Sequence, residues 1–388
     1  MTRPIPPGST IGILGSGQLG RMIALAARNL GYRIAIFSPE AGAPAAAVAD
    51  EEFVADYLDL DRIREFAKNV DVVTFEFENV PSVTTRAAAE FAPVRPDGQV
   101  LHVTQNRLRE KTFLRESGFP TTPWMRVQQP PELQAALAQI GAPGVLKTAD
   151  FGYDGKGQMK IKRAEEAPAA LASFNGQETV YEGFVDFEME LSVVAARTEA
   201  GEFKAFPVFE NRHANHILDV TIVPAGISPK LAAQAEELAR GILEKLQVVG
   251  VLTVELFVTR DGRLLVNELA PRVHNSGHIT MDACVTCQFE QQVRAICGLP
   301  LGSTDLNAPA AAMANLLGDL WAKGAPNWSA VLSDPGVKLH LYGKAEARRG
   351  RKMGHMNLAG ADRETVIRNI LTQRERVFEG AGVVQLAG

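Results

Sequence analysis

Four apolar runs in the first hundred residues, at 11–14, 33–37, 52–55 and 71–75, alternate with helical patterns at 19–30 and 60–68. Strands that alternate with helices read as parallel strands joined by crossovers, which confines this part of the chain to an α/β sheet covered by helices. The link from the first run to the first helix is GILGSGQLG, in which Gly15, Gly17 and Gly20 satisfy G-x-G-x-x-G. Glycines let the backbone approach an anion, and the helix start that follows aims free N–H groups at it. That geometry serves a dinucleotide pyrophosphate, another phosphate ligand, or only a tight strand-to-helix turn. Glu40 stands after the second run, where a dinucleotide site keeps the acid for its ribose.

The pattern then changes. APVRPDGQ, residues 92–99, carries two prolines and a glycine and marks a domain boundary. From about 100 to 300 strands and helices no longer alternate strictly, which reads as α+β. GVLKTADFGYDGKGQMKIKR gives two strands around a glycine-rich loop, and EMELSVVAARTEAGEFKAFPVFEN gives two longer strands joined at 199–202. Ser228 is a suitable N-cap and Pro229 suits the first helical position, with Leu231, Ala235, Leu238, Ile242 and Leu246 at helical spacing after them. Short strands (VKLHLYG, GHMNLAG) and a helix near 363–371 follow. The expected domains are 1–98, 99–305 and 306–388, a number that 388 residues can accommodate.

Charge excludes some partners. With 40 basic and 45 acidic side chains the net charge is −5, so nothing draws the whole chain to nucleic acid or an anionic membrane. No apolar stretch approaches a membrane span and no secretion-signal pattern opens the sequence, which makes the cytoplasm the expected location. Cys284, Cys287 and Cys297 fall in one segment read as helical. Cys284-x-x-Cys287 is half of a zinc knuckle without a second half, so packing is the favoured reading over a metal or redox role.

The chemistry collects in three places. VELFVTRDGRLLVNELAP is a hairpin, and a two-residue Asp261-Gly262 turn would set Glu255 opposite Glu268 on one face. Like charges so placed destabilise a ladder unless something compensates, either a cation or neighbouring arginines and a raised pKa. Magnesium is a cation held by such carboxylates together with substrate phosphates, and Asn267 adds an oxygen beside them. The second place is KTADFGYDGKGQ, where Lys147 closes a strand before a loop made pliant by Gly152, Gly155 and Gly157; Lys156 adds a second point charge. It does not follow the G-x-x-x-x-G-K-[ST] order of a P-loop. The third is YGKAEARRGRKMGH, with Lys344, Arg348, Arg349, Arg351 and Lys352 against the single acid Glu346, either a solvated turn or an anion site.

Together with TFEFENV, QNRLREK, EGFVDFEMELSV and NELAPRVHNSGH, these segments resemble the ATP-grasp superfamily and, within it, the 5-(carboxyamino)imidazole ribonucleotide synthase family, over nearly the whole chain. The resemblance implies an ATP-grasp fold with a Rossmann-like N-terminal parallel-sheet domain, a lid near 120–183 and a small C-terminal domain. It implies an ATP-dependent carbon–nitrogen ligase of purine biosynthesis that carboxylates 5-aminoimidazole ribonucleotide with bicarbonate through carboxyphosphate. Mg2+ or Mn2+, a homodimer and a cytoplasmic location go with it.

Site residues carried over by that resemblance are as follows. Arg107 and Lys147 contact ATP phosphates beneath the loop Phe151, Gly152, Tyr153, Asp154, Gly155, Lys156 and Gly157. Glu182, Gly183, Phe184 and Val185 read the adenine, Glu190 holds the ribose, and His213, Asn267 and Glu268 also border the nucleotide. Glu255 and Glu268 are the metal ligands. Arg272, His274 and Asn275 form the bicarbonate and carboxyphosphate pocket, while Tyr153 and Asp154 hold the ribonucleotide, Asp154 accepting a proton from its amine. Gln18 and Leu19 receive the ribonucleotide 5′-phosphate with Lys344 and Arg351, and Glu76 or Glu78 faces the same ligand. The opening glycine loop then binds one phosphate, and Glu40 loses the ribose role.

Overall fold

The computed structural model describes residues 3–150 and 157–378. The first strands form a four-stranded parallel sheet of β1 (Thr10–Leu14), β2 (Arg33–Ser38), β3 (Glu51–Val54) and β4 (Val72–Phe75), in the order β3-β2-β1-β4. β1, at its centre, is buried throughout except Thr10. This matches the alternation in the sequence, because a strand covered by helices on both faces must be continuously apolar.

A second four-stranded sheet, all antiparallel, contains β5 (Trp124–Val127), β6 (Gly144–Thr148), β7 (Gln158–Ile161) and β8 (Thr179–Gly183), in the order β5-β8-β6-β7. Its own small core includes Leu133, Leu146, Ile161 and Tyr181.

The largest sheet has nine strands among the described residues. They are β9 (Phe187–Arg197), β10 (Phe203–Ala205), β11 (Phe209–Ala214), β12 (Ile217–Val223), β13 (Gly250–Thr259), β14 (Leu264–Ala270), β15 (Ala310–Leu317), β16 (Lys338–Leu341) and β17 (Lys352–Gly360). The order is β14-β13-β9-β11-β12-β15-β17-β16, with β10 on β9, so the sheet runs on across residue 305 into the last segment. The fold is thus the mixed α/β and α+β architecture read from the sequence.

Three local details differ from that reading. The strand expected after 202 is divided at Pro207 into the three-residue β10 and β11, since proline has no N–H for the ladder. The cysteine segment is not one helix. It breaks after Ala283, and Cys287 starts the helix Gln288–Ile296 as its N-cap, accepting from Glu290 N at 3.5 Å. The β13–β14 loop is longer than two residues, as described below. By contrast, Ser228 caps the helix Pro229–Lys245 through a bond from Leu231 N.

One core cluster spans the first and largest sheets. Ile11, Ile13, Met22 and Ile23 pack in it with Phe289, Val293, Ile296 and the buried Cys297. The helix Gln18–Asn29 therefore rests on the helix Gln288–Ile296, which fixes the glycine loop against the large sheet. No helix among the described residues is long and apolar enough to cross a membrane.

Candidate active site

A cavity of about 1030 Å³ is lined by strands of the second and largest sheets and by the segments that follow β1 and β4 of the first. On its floor Glu255 of β13 faces Glu268 of β14. This register has an origin other than a two-residue turn. Thr259 N donates to Arg263 O at 2.9 Å and Gly262 N to Thr259 O at 2.8 Å, so the loop has three residues, with Gly262 at φ +78°. Such a loop offsets the pairing by one, as in Leu256 opposite Val266. A bulge at Asn267 then adds one residue to β14 and restores Glu255 to Glu268. The bulge also lets the adjacent Asn267 and Glu268 both line the cavity, where a regular strand would send them to opposite faces.

Burial pushes the Glu255 carboxyl well above its usual range, and the facing Glu268 pushes it further. Glu255 Oε1 lies 3.1 Å from His274 Nε2, and Glu268 Oε2 lies 3.5 Å from Arg107 Nη1. Both carboxylates and the Asn267 amide present hard oxygen donors to one space, a set suited to a magnesium-like cation.

Towards the second sheet, Glu182 of β8 is buried and takes two lysines, Lys147 Nζ at 3.1 Å and Lys111 Nζ at 3.4 Å. Burial works to raise its pKa, but Lys111, Lys147 and Arg107 outweigh it and hold the carboxyl down to about 2. Burial also lowers the Lys147 pKa. Gly183, Phe184 and Val185 continue the wall. On β9 and β11, Glu190 and His213 form an ion pair. Burial disfavours the His213 imidazolium, yet the bond to Glu190 raises its pKa overall.

After β14, Arg272 reaches back to the end of β4, where Glu78 receives its fork through Nε and, at 2.7 Å, through Nη2. Asn275 is buried, and neither polar atom of its side chain has a hydrogen-bond partner among the described residues. The same is true of Glu182 Oε1.

The glycine loop holds a carboxylate of the chain itself. Glu76 accepts from Gly17 N and, at 2.7 Å, from Gly20 N. A Cβ on Gly15 would stand 2.3 Å from Glu76 Cγ, and one on Gly17 2.8 Å from Glu76 Oε1. The fingerprint therefore makes room for Glu76. Gln18, Leu19, Glu76 and Glu78 all line the cavity. Lys344 and Arg351 do not, although Lys352 does. Lys344 Nζ donates to Lys352 O at 2.7 Å, and burial, then Arg351, depress its pKa to about 8. Arg351 Nη1 donates to Glu346 O at 2.9 Å. Gly157 receives Thr148 N on its carbonyl at 2.8 Å with φ +68°, whereas Phe151, Gly152, Tyr153, Asp154, Gly155 and Lys156 lie outside the described residues.

Comparison with known proteins gives the family to which these domains belong. Residues 9–105 match the ribonucleotide synthetase preATP-grasp domain, 112–289 the ATP-grasp domain, and 311–369 the phosphoribosylaminoimidazole carboxylase C-terminal domain. The N5-carboxyaminoimidazole ribonucleotide synthase of Brucella melitensis is 49% identical over 354 residues, 91% of this chain and 96% of its own. The chain belongs to the N5-carboxyaminoimidazole ribonucleotide synthase family. A family structure in complex with ADP superposes with a TM-score of 0.90 at 44% identity, covering 96% of this chain and 98% of its own. The Aspergillus clavatus family member, solved with ADP and 5-aminoimidazole ribonucleotide, gives 0.87 at 29% identity over 95% of this chain and 99% of its own. The family membership makes this chain an ATP-grasp enzyme, as its motifs implied.

Two buried charged residues beside the cavity escaped the sequence reading. Lys111, 1% exposed, and Glu110, 3% exposed, share one face of the helix Arg107–Glu116 with Arg107. Their i, i+3, i+4 spacing in QNRLREK was the available signal. Glu110 accepts from Leu269 N at 2.9 Å, just beyond the bulge. Burial and the nearby Glu268 raise its pKa to about 8.

Proposed function

We propose that the chain catalyses ATP-dependent carboxylation of 5-aminoimidazole ribonucleotide. The ATP γ-phosphoryl passes to a bicarbonate oxygen, giving ADP and carboxyphosphate. The exocyclic amine then attacks the carbon of carboxyphosphate, expelling phosphate, or of the CO2 formed after phosphate has left; the new C–N bond forms and the amine gives up a proton to yield 5-(carboxyamino)imidazole ribonucleotide.

The observation that carries this reading is the convergence on one cavity of Gln18, Glu76, Arg107, Lys147, Glu182, Glu190, Glu255, Glu268 and Arg272, which come from segments far apart in the sequence. Glu182, Gly183, Phe184 and Val185 are assigned to adenine, Glu190 and His213 to ribose, and Arg107 and Lys147 to the phosphates. The unpartnered Glu182 Oε1 supports the first assignment, because a buried acceptor wants a donor such as an exocyclic amine. Arg272, His274 and Asn275 are assigned to bicarbonate and carboxyphosphate. A guanidinium fork matches planar carboxylates, and Arg272 already carries one in Glu78. Gln18, Leu19, Glu76, Lys344 and Arg351 are assigned to the ribonucleotide, with Tyr153 and Asp154.

Glu255 and Glu268, with Asn267, would hold Mg2+ or Mn2+. When bound, such an ion offsets triphosphate charge. The protein's share of phosphoryl transfer is positioning and electrostatics, which suits a cavity rich in fixed charges. The division into 1–98, 99–305 and 306–388, a homodimer and a cytoplasmic location belong to the same proposal.

Release of ADP, measured with and without bicarbonate and the ribonucleotide, tests it. Release should require bicarbonate and rise with 5-aminoimidazole ribonucleotide. Activity with formate or another acceptor, and none with this nucleotide, would move the chain to a sister ATP-grasp ligase.

A further inference from the structure

Behind His274 a file of polar side chains crosses the large sheet. Thr221 of β12 is the register partner of Asn211 of β11, and Ser192 of β9 is the register partner of Glu255. Thr221, Ser192 and Ser276 are 0% exposed and Asn211 is 6% exposed. Thr221 Oγ1 donates to Asn211 Oδ1 at 3.0 Å, and Asn211 Nδ2 donates to Ser192 Oγ at 3.0 Å. Ser192 Oγ donates to Ser276 Oγ at 2.8 Å, and Ser276 Oγ lies 2.9 Å from His274 Nδ1. His274 Nε2, the far side of the ring, faces Glu255 Oε1 at 3.1 Å.

Hydroxyls donate or accept, so heavy atoms alone leave the direction of such a file open. A backbone N–H reports it here, through a longer contact than the 2.9 Å of the Ser276 hydroxyl, which therefore weighs more in holding the ring. Ser276 N points at His274 Nδ1 from 3.3 Å and can only donate. Nδ1 is then the bare nitrogen of a neutral ring, and the proton sits on Nε2, towards Glu255. The Ser276 hydroxyl is free to donate to the same Nδ1 while its oxygen accepts from Ser192. Every donor in the file then points the same way, and each acceptor from Asn211 Oδ1 to His274 Nδ1 receives one.

We propose that Ser276, Ser192, Asn211 and Thr221 are positioning residues, a one-way hydrogen-bonded file that holds His274 as its Nε2–H tautomer and aims that N–H at Glu255. The opposite tautomer would set a lone pair against Glu255 whenever that carboxyl is ionised. A complete buried network of this kind rigidifies what it holds, whereas an incomplete one is worse than apolar packing. The consequence for turnover rests on the reaction proposed above; the tautomer does not.

The test is long-range 1H–15N correlation on ligand-free protein labelled in its imidazoles, with His274 assigned by its disappearance in His274→Gln. Wild-type protein should show Nε2 protonated and Nδ1 bare. Asn211→Asp keeps size and shape but replaces the donor with an acceptor. It should draw the Ser192 hydroxyl back, reverse the file and move the ring proton towards Nδ1. ADP-forming kcat should then fall about 10- to 100-fold, as for other partners that orient a working histidine, while KM for ATP stays within about twofold. Should Asn211→Asp not fold, Ser276→Ala, which only shortens a buried side chain, should give mixed tautomers. A wild-type proton on Nδ1, or an unchanged His274 pattern in a folded variant, overturns the proposal. Failure of the proposed reaction would appear instead as wild-type ADP release indifferent to bicarbonate, with the spectrum unaffected.

Discussion

Glu110→Gln should shift the stability of the ligand-free protein increasingly in the variant's favour as the pH rises. The Glu110 carboxyl titrates near 4.5 when unconstrained, but burial first and the charge of Glu268 second raise it to about 8 in the fold. Between those values the unfolded chain ionises and the folded chain resists. The group therefore disfavours folding in a window that opens above 4.5 and saturates above 8. Integrated at about 1.4 kcal/mol per unit, the handicap is under about 1 kcal/mol at pH 5, about 3 kcal/mol at pH 7 and about 5 kcal/mol at pH 9. Glutamine removes the titration while keeping an oxygen to accept from Leu269 N. Its amide hydrogens, if unmet, cost about 1–3 kcal/mol, but equally at every pH. The slope and not the offset is diagnostic. Urea unfolding of both proteins from pH 5 to 9, without nucleotide or divalent ion, should show the difference moving in favour of the variant by about 4 kcal/mol, mostly between 5 and 8. Parallel pH profiles would refute the argument, because Glu110 would then ionise alike folded and unfolded.

Glu268→Gln should abolish bicarbonate-dependent ADP release, and because it removes the charge facing Glu255 it should leave the melting temperature without divalent ions unchanged or higher; retained turnover would remove the metal assignment. Lys344→Ala should raise KM for the ribonucleotide about tenfold or more with KM for ATP little changed, as loss of one charged phosphate contact implies, and equal losses would argue against a separate phosphate site. Glu78→Gln should remove an acid-sensitive component of stability. Burial opposes the Glu78 charge, but Arg272 holds its pKa below the usual value. Its contribution is therefore present above the ordinary carboxylate range and is lost as the pH falls through the folded pKa. The variant's stability should accordingly fall less than wild type on acidification to about pH 3, read by thermal melts.

The sequence disclosed elements that depend on neighbours within one segment and missed those that depend on contacts across the fold. The alternation at 11–75, the Ser228 cap and the confrontation of Glu255 with Glu268 were all legible. The last is instructive, because the pair is right while the assumed turn is not. A three-residue loop moves the register one way and the Asn267 bulge moves it back. A bulge leaves little mark on a single strand, since it answers to twist and to what the partner strand must accept. Lys111 and Glu110 were hidden for another reason. On a helix that begins with Arg107, charges at i+3 and i+4 read as a solvated face, and only burial against Glu182 and Leu269 shows otherwise. The ligands of Arg272 and of the glycine loop could not be read at all, because both come from TFEFENV, which is remote from each in sequence.

That last segment explains why a dinucleotide fingerprint stands in a chain of this family. Glu76 and Glu78 lie in the bend that follows β4, and both side chains line the cavity. From there Glu76 enters the turn after β1 and Glu78 takes the fork of Arg272. The glycines at 15 and 17 are required by the Glu76 side chain, which a Cβ would strike. The same absence of side chains that admits a pyrophosphate elsewhere here admits a carboxylate on the protein's own account. The helix N-terminus is the common cause, because it favours any anion brought to it and does not specify whose. A pyrophosphate at this turn would have to expel Glu76 from two N–H donors and set it, charged, beside the phosphates. Short-range repulsion of that kind disfavours a dinucleotide at this turn, whereas the single phosphate proposed for Gln18 and Leu19 would leave Glu76 on its two donors.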